Sequence, residues 1–270
     1  MAYVLGIDLG TTSLKGLVVD KQGQLVAQAQ VSYETQHPQL GYSEQDPAVW
    51  TGAMDEVMEQ LIRSLPELTS GLEAISFSGQ MHSLVILDQK GQVLHPAILW
   101  NDGRTQEECQ ILEHTLGKRL IDISKNVALP GFTLPKLLWV KRNLPEIWAQ
   151  IRYFLLPKDY LRYWLGAPMQ MDYSDASGTL LLDMKQGKWS EELSQSLGIP
   201  LEWCPPLVES KAVVGWLRPE LAQEWGLKEP VKLVAGGADN ACGALGAGLI
   251  RTRPCEYRDF RCLSATRGLT

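Results

Sequence analysis

The sequence is short of cysteine and has none of the spacings that join cysteines into a structural site. Its 270 residues include five cysteines, with no CxxC pair and no even-numbered framework. A structural zinc site or a disulfide scaffold is therefore not expected, and a reduced, cytoplasmic protein is the simplest interpretation. No basic, signal-like segment precedes the first predicted strand, which agrees with that location.

The sequence also has no excess of positive charge and no long apolar run. The net charge at pH 7 is −6, so nucleic acid and anionic membranes are not expected partners, and no apolar run approaches a membrane span. Hydrophobic residues make up 45% of the chain, enough for a full apolar core. The predicted strands alternate with helices, one of which is an amphipathic helix at 47–65. The predicted fold class is therefore α/β. Residues 172–179 are predicted to form a polar loop.

The chain opens with a patterned hairpin, and no Walker P-loop sequence GxxxxGK(S/T) is present. Residues 3–19 read YVLGIDLGTTSLKGLVV, in which two apolar runs predict two strands. The turn region carries a carboxylate with glycine and hydroxyl residues: Asp8, Gly10, Thr11, Thr12 and Ser13. Such a turn could receive a phosphate and its metal ion. It could equally be an ordinary β-turn, since the same residues favour turns.

Two later predicted strands also end in polar residues. One is followed by SGQMH (residues 78–82), and another ends in WNDGR (residues 100–104). Because ligands collect at the carboxyl edge of α/β sheets, both segments are expected to contribute ligand contacts at a common edge. A third, buried strand at 231–235 leads into GGADNA, which contains Asp239.

Single residues in these segments admit both functional and structural interpretations. Asp239 could accept the proton of a hydroxyl that attacks phosphorus, or it could cap the helix that it opens. His82 could bind a substrate hydroxyl or be structural, and Met81 beside it could belong to the core. Trp100 could stack on a sugar, although nine tryptophans make packing the default. Lys15 could offset phosphate charge or simply be solvated.

Taken together, these segments resemble the FGGY family of carbohydrate kinases. The opening GIDLGTTSLKG is similar to the first phosphate hairpin of the actin-like superfamily, and GFTLPKLLWVKRN is similar to the family's first signature. Five segments are similar to members that act on D-xylulose: SEQDP, GQMH, WNDGR, LPKDY and DYSDASGT. The resemblance implies an actin-like, ribonuclease-H-like ATPase fold, with a mixed sheet flanked by helices.

The resemblance also implies roles for individual residues. The reaction would transfer the γ-phosphoryl group of ATP to the 5-hydroxyl of D-xylulose, with Mg²⁺ as the metal. Asp239 would be the catalytic base, and Asp8 would lie near the metal. The residues expected to contact the sugar are Gln80, Met81, His82, Trp100, Asn101 and Asp102. Those expected to face the ATP phosphates are Gly10, Thr11, Thr12, Ser13 and Lys15.

Two other functions stay open at this point. The same family also acts on gluconate, L-ribulose and glycerol, and single substitutions can retune a sugar pocket. An actin-like module that binds sugar without turning over ATP belongs to a different class, and it would not need an acidic residue at position 239. The expected partners are therefore a small sugar and ATP, and a homodimer is a further option.

The resemblance stops near residue 250, and we predict a change of reading frame there. Residues 1–248 correspond to the N-terminal kinase domain, whereas residues 249–270 are rich in arginine and aperiodic. A DNA string that encodes residues 254–265 also encodes LVSIGTSG when read from the next nucleotide, and this contains a second phosphate hairpin. The C-terminal domain of the family is accordingly expected to be absent, and the chain alone to have little kinase activity. DNA sequencing should show the shifted frame continuing openly, and a closed frame would contradict the prediction.

Overall fold

The computed structural model describes residues 1–249. The altered frame predicted for residues 249–270 therefore lies, apart from Leu249, outside the described residues. The strands are β1 Tyr3–Leu9, β2 Ser13–Asp20, β3 Leu25–Ser32, β4 Glu44–Gln45, β5 Leu72–Gly79, β6 Val85–Leu87, β7 Ala97–Ile98, β8 Tyr153–Leu155, β9 Met171–Asp172, β10 Leu182–Asp183, β11 Lys188–Trp189, β12 Leu207–Val208, β13 Val213–Trp216, β14 Lys232–Val234 and β15 Gly237–Ala238. The helices are α1 Ala48–Ser64, α2 Leu68–Gly71, α3 Gln106–Thr115, α4 Gly117–Ser124, α5 Thr133–Asn143, α6 Pro145–Trp148, α7 Pro157–Trp164, α8 Tyr173–Ser177, α9 Glu191–Leu197, α10 Pro219–Glu224 and α11 Asp239–Gly246, with a 3₁₀ turn at Leu201–Trp203.

A mixed sheet forms the centre of the described chain. Its strands lie in the order β13-β14-β5-β1-β2-β3. The strands β1, β2 and β3 form an antiparallel meander that begins with the hairpin predicted at residues 3–19, while β5 runs parallel to β1 and β14 parallel to β5. The short strand β15 pairs with β5 beyond the end of β14. This mixed sheet with flanking helices confirms the α/β class.

Alternating side chains explain the position of the sheet in the core. In β1 the odd-numbered residues are buried and alternate with exposed or half-buried neighbours, as expected for a strand with one covered face. The amphipathic helix predicted at 47–65 is confirmed as α1, which packs on β2 and β3. A Cβ at Gly16 would lie only 2.7 Å from Val57 Cγ1, so glycine at this position lets α1 approach β2 closely.

Beside the sheet lies a second apolar cluster, which supports the segments around residue 82. It contains buried side chains from α5, β6 and β8, among them Leu134, Leu137 and Phe154. None of the helices within residues 1–249 is long and apolar enough to cross a membrane.

The prediction of a loop at 172–179 is wrong, because a short helix, α8, occupies most of this segment. The Asp172 carboxylate accepts the Ser174 N–H at 2.9 Å and caps that helix. Five helical residues are too few to show a helical period in the sequence.

Candidate active site

Three parallel strands end side by side at one edge of the sheet. In the register of β1, β5 and β15, Asp8 lies opposite Ser78, and Ser78 lies opposite Gly237. Parallel strands present their carboxyl ends at the same edge. The hairpin turn at 10–12, residues 80–82 and the start of α11 therefore leave the sheet together, so the structure brings together the segments predicted for phosphate, sugar and base.

The turn between β1 and β2 presents free backbone donors. The Gly10 N–H donates to the Ser13 carbonyl at 3.0 Å and closes the turn. In the described part of the chain, the N–H groups of Thr11 and Thr12 have no hydrogen-bond acceptor. The Tyr33 hydroxyl anchors the turn by donating to the Gly10 carbonyl at 2.6 Å. Consecutive free N–H groups on an anchored turn suit an anionic ligand.

Asp8 and Lys15 face each other across the hairpin. They are register partners on β1 and β2, so their side chains emerge on the same face of the sheet. Asp8 is exposed, and Lys15 is half-buried. A carboxylate suits Mg²⁺, and an ammonium group suits phosphate oxygens.

A backbone kink places Asp239 at the sheet edge where β1, β5 and β15 end. Gly236 has a φ of +76°, and a Cβ there would lie 1.9 Å from the Phe77 carbonyl oxygen, so only glycine fits. The interpretation of Asp239 as the helix N-cap is wrong, because Ala238 holds that position without a side-chain cap. The Asp239 Oδ1 atom instead accepts the N–H of the adjacent Asn240 at 2.7 Å.

The pKa of Asp239 lies above that of an ordinary aspartate. Although the residue as a whole is exposed, partial burial of its carboxyl group raises the pKa. The hydrogen bond from Asn240 opposes this effect, and the negative charge of Asp8 adds to it. A raised pKa makes the carboxylate a better proton acceptor near neutral pH, so this environment suits a general base.

His82 is held as a neutral hydrogen-bond acceptor. Its Nδ1 atom lies 2.8 Å from the Gly178 carbonyl oxygen, so we assign the ring hydrogen to Nδ1, which leaves Nε2 free to accept. Burial lowers the pKa of His82 to about 4; the bond to Gly178 opposes this shift, and the charge of Lys136 contributes to it. The ring can therefore accept a hydrogen bond from a sugar hydroxyl at pH 7.

Two buried donors hold the backbone of His82, which has an unusual φ of +66°. Thr133 Oγ1 and Lys136 Nζ donate to its carbonyl at 3.1 and 3.0 Å. The same ammonium group also donates to the carbonyls of Gly131 and Phe132. Burial lowers the pKa of Lys136 to about 7. Sequence reasoning missed this support, although a lysine inside an apolar helical segment was a signal for it.

Gln80 and Met81 lie between the phosphate turn and the start of α11. Both side chains are buried. Gln80 Nε2 donates to the Gly10 carbonyl in a long hydrogen bond of 3.4 Å, and Asn240 Nδ2 approaches the Met81 sulfur at 3.6 Å. The two residues therefore join the three segments of the edge, and their contact with sugar stays a prediction.

The segment after β7 contains both exposed residues and a buried residue with hydrogen bonds to the protein. Trp100 and Asn101 are exposed. Asp102 is buried, and its carboxylate accepts the Ser43 N–H at 2.6 Å and three N–H groups of Arg104, one from the backbone and two from the guanidinium group. Asp102 therefore stabilises the conformation of this segment through hydrogen bonds to its neighbours. A direct contact between Asp102 and a sugar remains a prediction.

Beneath the site lies a cluster of fully buried charges that sequence reasoning missed. Lys158 Nζ lies 2.7 Å from a carboxylate oxygen of Asp159 and 2.8 Å from those of Asp172 and Asp175. Arg162 lies 2.9 Å from Asp159. The three carboxylates are close enough to hold a metal ion, but the Lys158 ammonium group already lies among them. The density of charge in LPKDY and DYSDASGT was the available signal.

The cluster is close to electrical balance at neutral pH. Burial raises the pKa of Asp175 to about 8; Lys158 opposes the shift, and the carboxylates of Asp172 and Asp159 reinforce it. This shift favours the protonated, neutral form of Asp175. The two remaining carboxylates are then matched by Lys158 and Arg162.

This cluster, defined here as the buried charge cluster, also holds the segment that precedes the base. Arg162 donates to the Ala235 carbonyl at 2.6 Å. The Ser174 hydroxyl donates to Asp172 and accepts the Ala238 N–H, the latter at 2.9 Å. Both ends of the kinked 235–238 segment are thus fixed by buried side chains.

Known proteins are similar to this chain in sequence and in architecture. The pattern described as the FGGY family of carbohydrate kinases, N-terminal domain, matches residues 3–246. A xylulose kinase from Lactococcus lactis is 48% identical over 250 residues, which cover 93% of this chain and 50% of the relative. A solved "xyloylose kinase" from Brucella ovis has a TM-score of 0.89 at 42% identity, with 92% of this chain and 51% of that chain covered. A gluconate kinase from Lactobacillus acidophilus has a TM-score of 0.87 at 27% identity, with 92% and 50% covered.

The strand order and these structural likenesses define the actin-like ATPase fold, in the form that sugar kinases use. The chain belongs to the FGGY family of carbohydrate kinases. It spans about half the length of the curated relatives it matches.

Proposed function

We propose that this chain supplies the sugar site and the catalytic base of a kinase that phosphorylates the 5-hydroxyl of D-xylulose with ATP. The observation that carries the proposal is the convergence of Asp8, His82 and Asp239 at adjoining strand ends. The identity of 48% to a xylulose kinase supports the choice of sugar.

Asp239 and His82 have complementary parts in the proposed reaction. Asp239 accepts the proton of the attacking hydroxyl, a task that its raised pKa favours. The neutral His82 ring accepts a hydrogen bond from another sugar hydroxyl and so orients the substrate. Catalysis of phosphoryl transfer depends mainly on such positioning and on neutralising charge.

The hairpin turn and its neighbours fit ATP phosphates and Mg²⁺. The free N–H groups of Thr11 and Thr12 and the Lys15 ammonium group would hold phosphate oxygens. The exposed Asp8 carboxylate would hold the metal, directly or through water. When bound, Mg²⁺ offsets the negative charge of the phosphates.

Binding measurements test the choice of sugar. Calorimetry should show that the chain binds D-xylulose about tenfold more tightly than gluconate, L-ribulose or glycerol. The reason is that a sugar with a different pattern of hydroxyl groups would leave polar groups of the protein site unpaired. His82→Ala should weaken D-xylulose binding about tenfold through loss of a hydrogen bond and its geometry. His114→Ala, at an exposed position on α3, is the matched control and should change nothing.

Other results would favour the alternatives. Tighter binding of gluconate would point to the activity named for the Lactobacillus acidophilus neighbour. Binding of D-xylulose without ATP-dependent phosphorylation, both in this chain and in a form continued in the shifted frame, would favour the non-catalytic module.

A further inference from the structure

The exposed Trp100 donates hydrogen bonds to two different parts of the site. Its indole Nε1–H donates to Thr11 Oγ1 at 2.8 Å, although the two residues lie 89 positions apart. Its backbone N–H donates to Ser83 Oγ at 2.9 Å. About half of the side chain remains exposed, at 47%. The residue thus bridges the phosphate turn and the segment that follows β5.

The bridge belongs to a closed circuit of hydrogen bonds. Ser83 Oγ donates to Gln80 Oε1 at 2.9 Å, and Gln80 Nε2 reaches back to the Gly10 carbonyl at 3.4 Å. Gly10 and Thr11 are neighbours in the turn, so the circuit returns to its starting point. Met81 and His82 lie inside the stretch of chain that this circuit encloses.

We propose that Trp100 is a positioning residue that couples the sugar segment to the phosphate turn. A ligand that contacts the Trp100 ring or orders residues 80–83 would also order the turn through the bond to Thr11. The turn would then lose less conformational freedom when it receives phosphate. The coupling is reciprocal, so phosphate binding favours sugar binding by the same factor. This inference rests on the proposed sugar and phosphate sites.

Two amide groups report directly on the order of the turn. The Gly10 N–H donates to Ser13, and the Tyr33 N–H donates to the Thr12 carbonyl, each at 3.0 Å. Loosening of the turn breaks both bonds and exposes both amides to hydrogen exchange. Their exchange can be followed by NMR without any turnover of ATP.

The test uses conservative variants of the complete chain. Trp100→Phe removes the indole donor and keeps an aromatic ring, and Thr11→Val removes the acceptor at nearly constant shape. Thr11→Ser keeps the hydroxyl acceptor, so the exchange rates of its Gly10 and Tyr33 amides should match those of the unaltered chain. Trp216→Phe is the control, because Trp216 is similarly exposed, at 53%, on the distant strand β13.

Without ligand, Trp100→Phe and Thr11→Val should each speed exchange of the Gly10 and Tyr33 amides about threefold, as expected for loss of one modest hydrogen bond. The double variant should be no faster, because both changes break the same bond. The Trp100 indole resonance should move in Thr11→Val and stay in place in Thr11→Ser. If the Gly10 and Tyr33 amides exchanged at unchanged rates in the single variants, or if the effects added in the double variant, the proposed bridge would be contradicted.

Addition of D-xylulose tests the coupling. The sugar should slow exchange of both amides in the unaltered chain and in Thr11→Ser, but not in Trp100→Phe or Thr11→Val. Equal slowing in all variants would overturn the coupling while leaving the proposed function intact. Absence of any spectral change with D-xylulose would overturn the proposed function and the coupling together, whereas the ligand-free exchange rates would still decide whether the bridge exists.

Discussion

Replacement of Asp239 by asparagine is expected to reduce ATP-dependent phosphorylation of D-xylulose by a factor of about a hundred to ten thousand, the usual contribution of a general base. The amide keeps the shape of the side chain and removes its basicity. D-xylulose binding should be retained, since the sugar segment is built by other residues. A coupled assay of ADP release measures the loss on a form continued in the shifted frame after residue 250, because the chain alone is expected to have little kinase activity.

Asp122→Asn is the matched control for this experiment. Asp122 is an exposed aspartate on α4, and its change should leave both turnover and binding as they were. Loss of sugar binding in Asp239→Asn would show that the carboxylate organises the pocket and is not simply a base. Full turnover in that variant would contradict the proposed role.

The pH dependence of turnover provides a second view of the same group. The base acts in its deprotonated form, so activity should fall as the pH drops through the pKa of Asp239. Because partial burial raises this pKa, the fall should occur at a higher pH than for an ordinary aspartate. Asp239→Asn should abolish this acidic limb of the profile.

Replacement of Lys158 by methionine should cost about 3–5 kcal/mol of unfolding free energy, because it leaves buried carboxylates without their central cation. Thermal and urea denaturation measure the change. Lys21→Met, at an exposed surface pair with Glu73, is the control and should change stability by less than about 1 kcal/mol.

Asp175→Asn tests whether the stability of the fold depends on every member of the buried charge cluster or only on its charged members. Burial raises the pKa of Asp175, which favours the neutral, protonated form, and asparagine would replace this form with another neutral group. We therefore expect a much smaller loss of stability than for Lys158→Met. Equal losses in the two variants would contradict the protonated state of Asp175.

The strand β1 and the helix α1 followed from the sequence because their causes are local. The apolar alternation in β1 and the spacing in α1 are set by residues close together in the chain. The convergence of the phosphate, sugar and base segments follows from a rule about parallel strands, which needs no knowledge of side-chain contacts. The predicted common edge is right for the segment after β5 and wrong for the segment after β7, because β7 pairs with β4 outside the central sheet.

The remaining features depend on partners that are distant in the chain. The indole of Trp100 was expected to meet a sugar or the core, whereas its N–H bonds to Thr11. Lys158 resembles an ordinary polar residue at the start of a helix until folding places Asp172 and Asp175 around it. The N-cap of α11 could not be placed either, because the kink at Gly236 decides where the helix begins.

A crystal structure of the chain with D-xylulose would show whether the sugar binds where we propose. The sugar should lie at the edge formed by β1, β5 and β15, with its 5-hydroxyl within about 3 Å of the Asp239 carboxylate. Another of its hydroxyl groups should donate to Nε2 of His82. A sugar bound elsewhere, or one bound here with the 5-hydroxyl turned away from Asp239, would contradict the proposed function.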